Sequence, residues 1–304
     1  MNKPLLVICP GLMKCGTTSL YKYFYTSYLL HFGHGKEHYY LNNIYQDDCS
    51  NEKLFKENFL TEKFFTFKEN HCFKSFEPYY KERTLENYKN YFLEIFEYYV
   101  TQKKMFYGVA DFSVSYQSLS LDNIKHFRDY ITQYFDVKII RMVRDPIRRL
   151  YSYCNMVTGK ENAKKHFYHL LTDKEKYSFY SRTYSTFLPN WDTSIWGVNQ
   201  SCIIAYENIF GDSEDAMKRL HEFIDVPYFP INKQENIIKS EYQEELTPED
   251  IEFARLKLRQ EYAFFHNTQK ILPSTWEYAK DWNYESLDFR NLQSNRSINP
   301  VDFY

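Results

Sequence analysis

Apolar residues along this chain gather into short runs: Leu5–Cys9, Leu29–Phe32, Phe106–Val109, Val137–Val143 and Cys202–Ala205. Each is rich in β-branched or aromatic side chains, the pattern of strands covered on both faces. Between them the apolar spacing lengthens to the period of a helix. Thr84 is placed to cap a helix whose Leu85, Tyr88, Phe92, Ile95 and Tyr99 share one face. Asp122 is expected to cap another, with Ile124, Phe127, Ile131 and Tyr134 turned inward. Thr247-Pro248-Glu249-Asp250 reads as an N-cap, a proline at the first helical position and acids in the first turn, leading into Ile251, Ala254, Leu258, Tyr262 and Phe265. Strands alternating with helices predict a single α/β domain with a central, mainly parallel sheet flanked by helices and a ligand at the carboxyl ends of the strands. The domain is expected over residues 1–285. Within it, 44–83 has no clear period and is expected as a substrate-side insertion, and lysine-rich 155–180 as a lid. Residues 286–304 are expected to form a loosely packed C-terminal tail.

Two strand-to-helix junctions carry the chemistry. The first strand feeds Gly11-Leu-Met-Lys14-Cys15-Gly16-Thr17-Thr18-Ser19, after which Leu20–Phe24 reads as helix. Backbone N–H groups and the positive end of a helix converge there on an anion. In a Walker A loop a lysine follows the second glycine and reaches the terminal phosphates of a nucleotide. Here Thr17 holds that slot, and Lys14 lies ahead of Gly16. The loop suits an anion but is miswired for ATP. The second junction follows Val137–Val143 and runs Arg144-Asp145-Pro146, with Arg148, Arg149 and Ser152 beyond.

Composition narrows the function. A formal net charge of −2 disfavours nucleic-acid binding as a main activity. Basic residues are nevertheless concentrated in Lys138, Arg141, Arg144, Arg148 and Arg149, which read either as an anion grip or as a solvated helix face. Aromatics make up 20% of the chain, with 30 Tyr and 26 Phe against 4 Trp, and core packing accounts for them more simply than sugar stacking. The cysteines, Cys9, Cys15, Cys49, Cys72, Cys154 and Cys202, form no C-x-x-C pair, which fits a reducing compartment. Cys9 and Cys202 read as small buried hydrophobes, and Cys15 as a small loop residue whose thiol pKa a helix start would lower. No apolar stretch approaches the roughly 20 residues of a membrane span, and the N-terminal apolar run is shorter than a signal peptide. The expectation is a soluble, cytoplasmic protein, in which the N-x-[ST] sites at Asn199 and Asn295 carry little weight.

The two junctions together resemble those of the sulfotransferases that use 3′-phosphoadenosine 5′-phosphosulfate (PAPS), whose fold is P-loop-like. The first resembles the 5′-phosphosulfate loop, which implies donor contacts for Lys14, Cys15, Gly16, Thr17, Thr18 and Ser19. The second resembles the 3′-phosphate grip, which implies the same for Arg144 and Ser152. After the second strand, Gly35-Lys36-Glu37-His38-Tyr39-Tyr40 is similar to the Lys-Glu-x-His-Phe-Phe segment of the Golgi heparan-type and related carbohydrate sulfotransferases. There the glutamate deprotonates the acceptor, so Glu37 is the implied base with Lys36 beside it. The family histidine slot falls on Tyr39, and His38 sits one residue early. Ala110-Asp111-Phe-Ser113 looks like a segment lining the acceptor side, which implies substrate-side positions for Asp111 and Ser113 as well as Lys36 and His38. Tyr184 to Trp191 and Tyr206-Glu207-Asn208 resemble further family elements. Lys239 falls where heparan-type members place a donor-binding lysine.

What the resemblance implies is in-line transfer of a sulfuryl group from PAPS to a hydroxyl or amine, the acceptor being a glycan or small hydroxylated molecule. The protein supplies positioning and charge stabilisation. Lys14 would stabilise the leaving phosphate and Glu37 would take the proton. No metal is demanded. Other readings stand beside this one: a P-loop kinase, a PAPS-binding protein without activity, Lys36–Glu37 as a surface ion pair, Asp111 as a strand-end cap, and His31, His34 and His38 as zinc ligands. The oligomeric state has no signature in the sequence.

Overall fold

A computed structural model describes residues 3–45, 82–173, 183–211, 214–230, 246–269 and 276–279. Five strands form one sheet: β1 (Leu5–Ile8), β2 (Leu30–His31), β3 (Gly108–Asp111), β4 (Asp136–Val143) and β5 (Ser201–Ala205). Their order is β2-β3-β1-β4-β5 and every pairing is parallel. The helices are α1 (Thr17–Thr26), α2 (Tyr40–Ile44), α3 (Leu85–Ile95), α4 (Leu121–Ile131), α5 (Pro146–Thr158), α6 (Lys160–Thr172), α7 (Thr183–Phe187), α8 (Thr193–Trp196), α9 (Tyr206–Phe210), α10 (Asp215–Ile224) and α11 (Pro248–Gln269).

Alternation along β1 divides the interior into two layers. Val7 and Cys9 join a core built with α1, α5, α6, α10 and α11, whereas Leu6 and Ile8 join one built with α2, α3 and α4. Covering both faces lets a parallel sheet be apolar throughout. Aromatic rings fill both layers: the largest fully buried side chains are tryptophan, tyrosine and phenylalanine. Many of the buried tyrosines donate hydrogen bonds inward, Tyr23 to Phe229 O and Tyr262 to Asp145 for example. Tyrosine thus serves as apolar filler with a polar tip.

Caps explain where several helices begin. Thr84 Oγ1 accepts from Asn87 N at 3.1 Å, as expected. At α11, Thr247 Oγ1 accepts from Asp250 N while Asp250 accepts from Thr247 N, a reciprocal box. For α4 the expectation is corrected: Ser120, not Asp122, is the cap, and Asp122 lies in the first turn. Serine competes well at the cap, and the acid still favours the helix start from inside. Strand β3 begins two residues later than the apolar run suggests, so Asp111 ends the strand.

The expected lid at 155–180 is helical through Thr172, and α6 buries Ala163, Phe167, Leu170 and Leu171 in the core. Its last residues, most of the expected insertion at 44–83, the tail at 286–304 and Lys239 lie outside the described residues.

What matters for function is the edge where the strands end. β1 and β4 are neighbours, yet the chain reaches them on opposite excursions, outward to β2 first and to β5 afterwards. A crevice at such a switch point is where open α/β sheets take ligands.

Candidate active site

The loop after β1 is pinned to the strands on both sides of it. Leu12 N donates to Met142 O, Met142 N to Gly11 O and Cys9 N to Asp111 O. Lys14 (φ 67°) and Gly16 (φ 88°) take left-handed backbone. Gly16 is the N-cap of α1, and among the described residues no side chain caps that helix. Thr17 and Ser19 are buried in its first turn, and Thr18 is half-buried. Burial, Arg144 and Lys36 hold the Lys14 ammonium below its ordinary pKa. Among the described residues no carboxylate forms an ion pair with Lys14 or Arg144. Cys15 is buried, in keeping with its reading as a small loop residue, and burial pushes its thiol up to about 11, against the lowering that a helix start favours.

Arg144 leaves β4 opposite this loop. Its Nη1 donates to Lys14 O at 3.4 Å, its guanidinium lies 4.8 Å from the centre of the Tyr206 ring, and its buried Nε has no partner among the described residues. The Tyr184 hydroxyl accepts from Arg144 N and donates to Arg144 O. Asp145 caps α5 by accepting from Ile147 N and Arg148 N. Asp145 N in turn donates to Glu207 Oε1. Ser152 lies half-buried on α5, one turn beyond Arg148. Of the basic residues clustered here, Arg148 alone is exposed while Arg141 and Arg149 are buried, which overturns the solvated-face reading.

The third component follows β2. Lys36 Nζ donates to Glu37 Oε1 at 2.6 Å, with the two side chains 14% and 21% exposed. It is an ion pair, but not one on an open surface. Tyr39 OH donates to Glu37 Oε2 at 2.5 Å. Beneath them lies a buried network. Asp111 accepts from Ser113 N and Ser113 Oγ on one oxygen and from Tyr88 and Tyr116 on the other. Ser113 Oγ accepts from the N–H groups of His38 and Tyr39. Burial raises the Asp111 pKa and lowers that of His38, whose Nε2 lies 2.9 Å from Phe32 O. His38, Asp111 and Ser113 therefore sit inside, under the segment that carries Lys36 and Glu37. Among the described residues no three potential ligands gather for a metal. His31 stacks on Tyr99 and accepts from Gly33 N.

A profile described as "Sulfotransferase family" matches residues 4–230. The chain belongs to the sulfotransferase family. Membership supports sulfuryl transfer as its chemistry, and the matched span holds every strand of the sheet and all three loops just described. A sulfotransferase from Alicyclobacillus acidocaldarius is similar in structure, with a TM-score of 0.56 and 18% identity over 91% of this chain and 99% of that one. The sulfotransferase domain of the Synechococcus olefin synthase aligns with a TM-score of 0.46 and 15% identity over 93% and 97% of the respective chains. The first likeness establishes the fold. A search of curated protein sequences gives no match. Among the described residues no helix is long and apolar enough to cross a membrane.

Sequence reasoning assigned no site role to Tyr206, Tyr184 or Tyr39. A Cβ on Gly16 would lie 2.2 Å from the Tyr206 ring, so that ring packs on the loop glycine while carrying Arg144. Tyr184 joins Cys15 and Arg144 from a distant helix. Family-like spacing marked both segments, but neither contact has a local signature.

Proposed function

We propose that this protein transfers the sulfuryl group of PAPS to a hydroxyl or amine on a carbohydrate, in the manner of the Golgi heparan-type branch. The observation that carries the reading is a convergence of cations. Lys14, Arg144 and Lys36 meet where β1, β4 and β2 end, close enough that two of them depress the third. Among the described residues neither Lys14 nor Arg144 has an ion-pair partner. Positive charge gathered beside an uncapped helix start is stable with an anion between, and a donor with phosphate at each end fits two separated cations. The Nε of Arg144, without a partner among the described residues, adds a donor on that side.

Transfer is an in-line displacement at sulfur. The acceptor oxygen forms its bond to sulfur as the bridging bond to phosphorus-bound oxygen breaks, and Lys14 with the loop N–H groups meets the charge arriving on the leaving phosphate. Glu37 takes the proton that the acceptor loses. Arg144, with Ser152 on α5, holds the 3′-phosphate, and Tyr206 offers its ring beside Arg144. Lys239 is proposed as a further donor contact, Lys36 as a contact on the acceptor side, and the cytoplasm as the site of action.

Thermal unfolding with adenosine 3′,5′-bisphosphate against Mg-ATP tests the donor. A ligand at 100 times its Kd stabilises by about 2.7 kcal/mol, and only the bisphosphate is expected to do so. Labelled PAPS offered with a panel of glycans, phenols and small alcohols tests the acceptor. Stabilisation by Mg-ATP alone would replace this reading with a phosphotransferase.

A further inference from the structure

Glu37 is gripped at both carboxylate oxygens. Lys36 holds Oε1 and the Tyr39 phenol holds Oε2. Tyr39 reaches back two residues because its backbone is left-handed (φ 53°), a conformation that disfavours a bulky side chain. That turn is fastened by two hydrogen bonds: Tyr39 N donates to Ser113 Oγ at 3.2 Å, and Tyr39 O accepts from Asn43 Nδ2 at 2.6 Å. The phenol is thereby aimed at the carboxylate by the buried Asp111–Ser113 network rather than by its own rotamer alone.

We propose that Tyr39 is the positioning residue for Glu37, an inference that rests on reading Glu37 as the base. The two grips are unequal. Lys36 also lies near enough to help hold the Lys14 ammonium below its ordinary pKa, so an anion bound at Lys14 draws it as well as the carboxylate does. When a phosphosulfate is present, Lys36 is shared between them. The Tyr39 hydroxyl, donating to Oε2 from a turn fastened to Ser113, keeps Glu37 in place. An ionised carboxylate has about four acceptor positions, so two donors leave room for the proton of an incoming hydroxyl. A base left to swing would lose the geometry that proton transfer requires.

The test uses the full chain labelled with 13C at the glutamate side-chain carboxyl, the Glu37 resonance being assigned by its loss in Glu37→Gln. Rates are taken with labelled PAPS and the best acceptor of the panel, and affinity with adenosine 3′,5′-bisphosphate. Tyr39→Phe, which removes only the hydroxyl, is expected to displace the Glu37 resonance and lower kcat by about 10- to 100-fold at unchanged bisphosphate Kd. Tyr39→Asn, compatible with left-handed backbone, is expected to lose as much rate, because the phenol and not the turn is required. An unmoved resonance in Tyr39→Phe, or a loss of bisphosphate affinity as large as the loss of rate, overturns the proposal while leaving Glu37's role standing. Glu37→Gln at the wild-type rate overturns the base itself and this proposal with it.

Discussion

The Tyr206 ring lies where any side chain on Gly16 would have to go: a Cβ there would sit 2.2 Å from Cδ2 of the ring. The same ring carries the Arg144 guanidinium at 4.8 Å, so the end of β5 sets the distance between the loop and the arginine. Gly16→Ala is expected to cost about 2 kcal/mol, part from left-handed backbone and part from pushing the ring aside. It is also expected to weaken bisphosphate binding at least tenfold by moving Arg144. Combining it with Tyr206→Ala should relieve the clash, giving a coupling energy of about 1 kcal/mol or more in urea unfolding. Strict additivity would show that ring and glycine act independently.

Ser113 ties the base segment to the sheet. Its Oγ donates to Asp111 at 2.5 Å and accepts from His38 N at 2.7 Å. Ser113→Ala leaves the His38 and Tyr39 amides without this acceptor, and the loss is expected to be about 2 kcal/mol, a buried unsatisfied donor costing roughly 1–3. Sulfuryl transfer should slow more than bisphosphate affinity falls, since Lys14 and Arg144 lie on other loops. Ser113→Thr keeps the oxygen and should retain most of the rate. Equal rates in the alanine and wild-type proteins would separate the network from catalysis.

The strands and the two strand-to-helix junctions were legible because they are local. An apolar run, a glycine and a cation within a few residues have one geometry when a strand precedes and a helix follows. The boundaries were less legible: β3 starts at Gly108, the partner of Leu30 in β2, because strand pairing and not the apolar run beginning at Phe106 decides where the ladder lies. Burial was the least legible. Asp111, Ser113 and His38 read as candidates for the acceptor side, yet tyrosines contributed by α3 and by the segment after β3 enclose the carboxylate. Polarity in sequence does not reveal which side of a loop will be covered. Tyr184 and Tyr206 contact the loop from far along the chain, and contacts at such separation leave no periodic trace.

Two buried carboxyls, Asp145 and Glu261, give the stability a pH signature. Burial raises Asp145 to about 7, with Glu207 adding repulsion, and burial raises Glu261 to about 7. A carboxyl whose folded pKa exceeds its unfolded value binds more protons in the folded protein between the two, so stability falls as pH rises through that window. The effect is largest between about pH 4 and 7, at up to about 1.4 kcal/mol per pH unit for each group. Histidines buried as neutral rings, His31 among them, work in the opposite sense, so the variants are compared with wild type at each pH. Glu261→Gln should gain stability relative to wild type steadily from pH 5 to 7.5 in urea titrations. A difference that is flat with pH would mean that Glu261 titrates normally.

Lys14 and Arg144 predict how donor affinity depends on pH. Burial and its two cationic neighbours hold Lys14 below its ordinary value of 10.5, so in the free protein it loses its proton earlier than a solvated lysine. An anion seated between the cations favours the charged form and raises that pKa. Bisphosphate affinity should therefore be level up to the depressed pKa, then fall as pH rises through it, with proton uptake on binding in that range. Calorimetry in buffers of different ionisation enthalpy measures the uptake directly. Arg144→Gln removes one neighbouring charge: overall affinity should drop, while the alkaline fall moves up toward the ordinary lysine value. Lys14→Ala should erase both the uptake and the alkaline fall, and should abolish transfer with the fold intact. If binding at high pH takes up no proton in the wild-type protein, Lys14 does not face the anion.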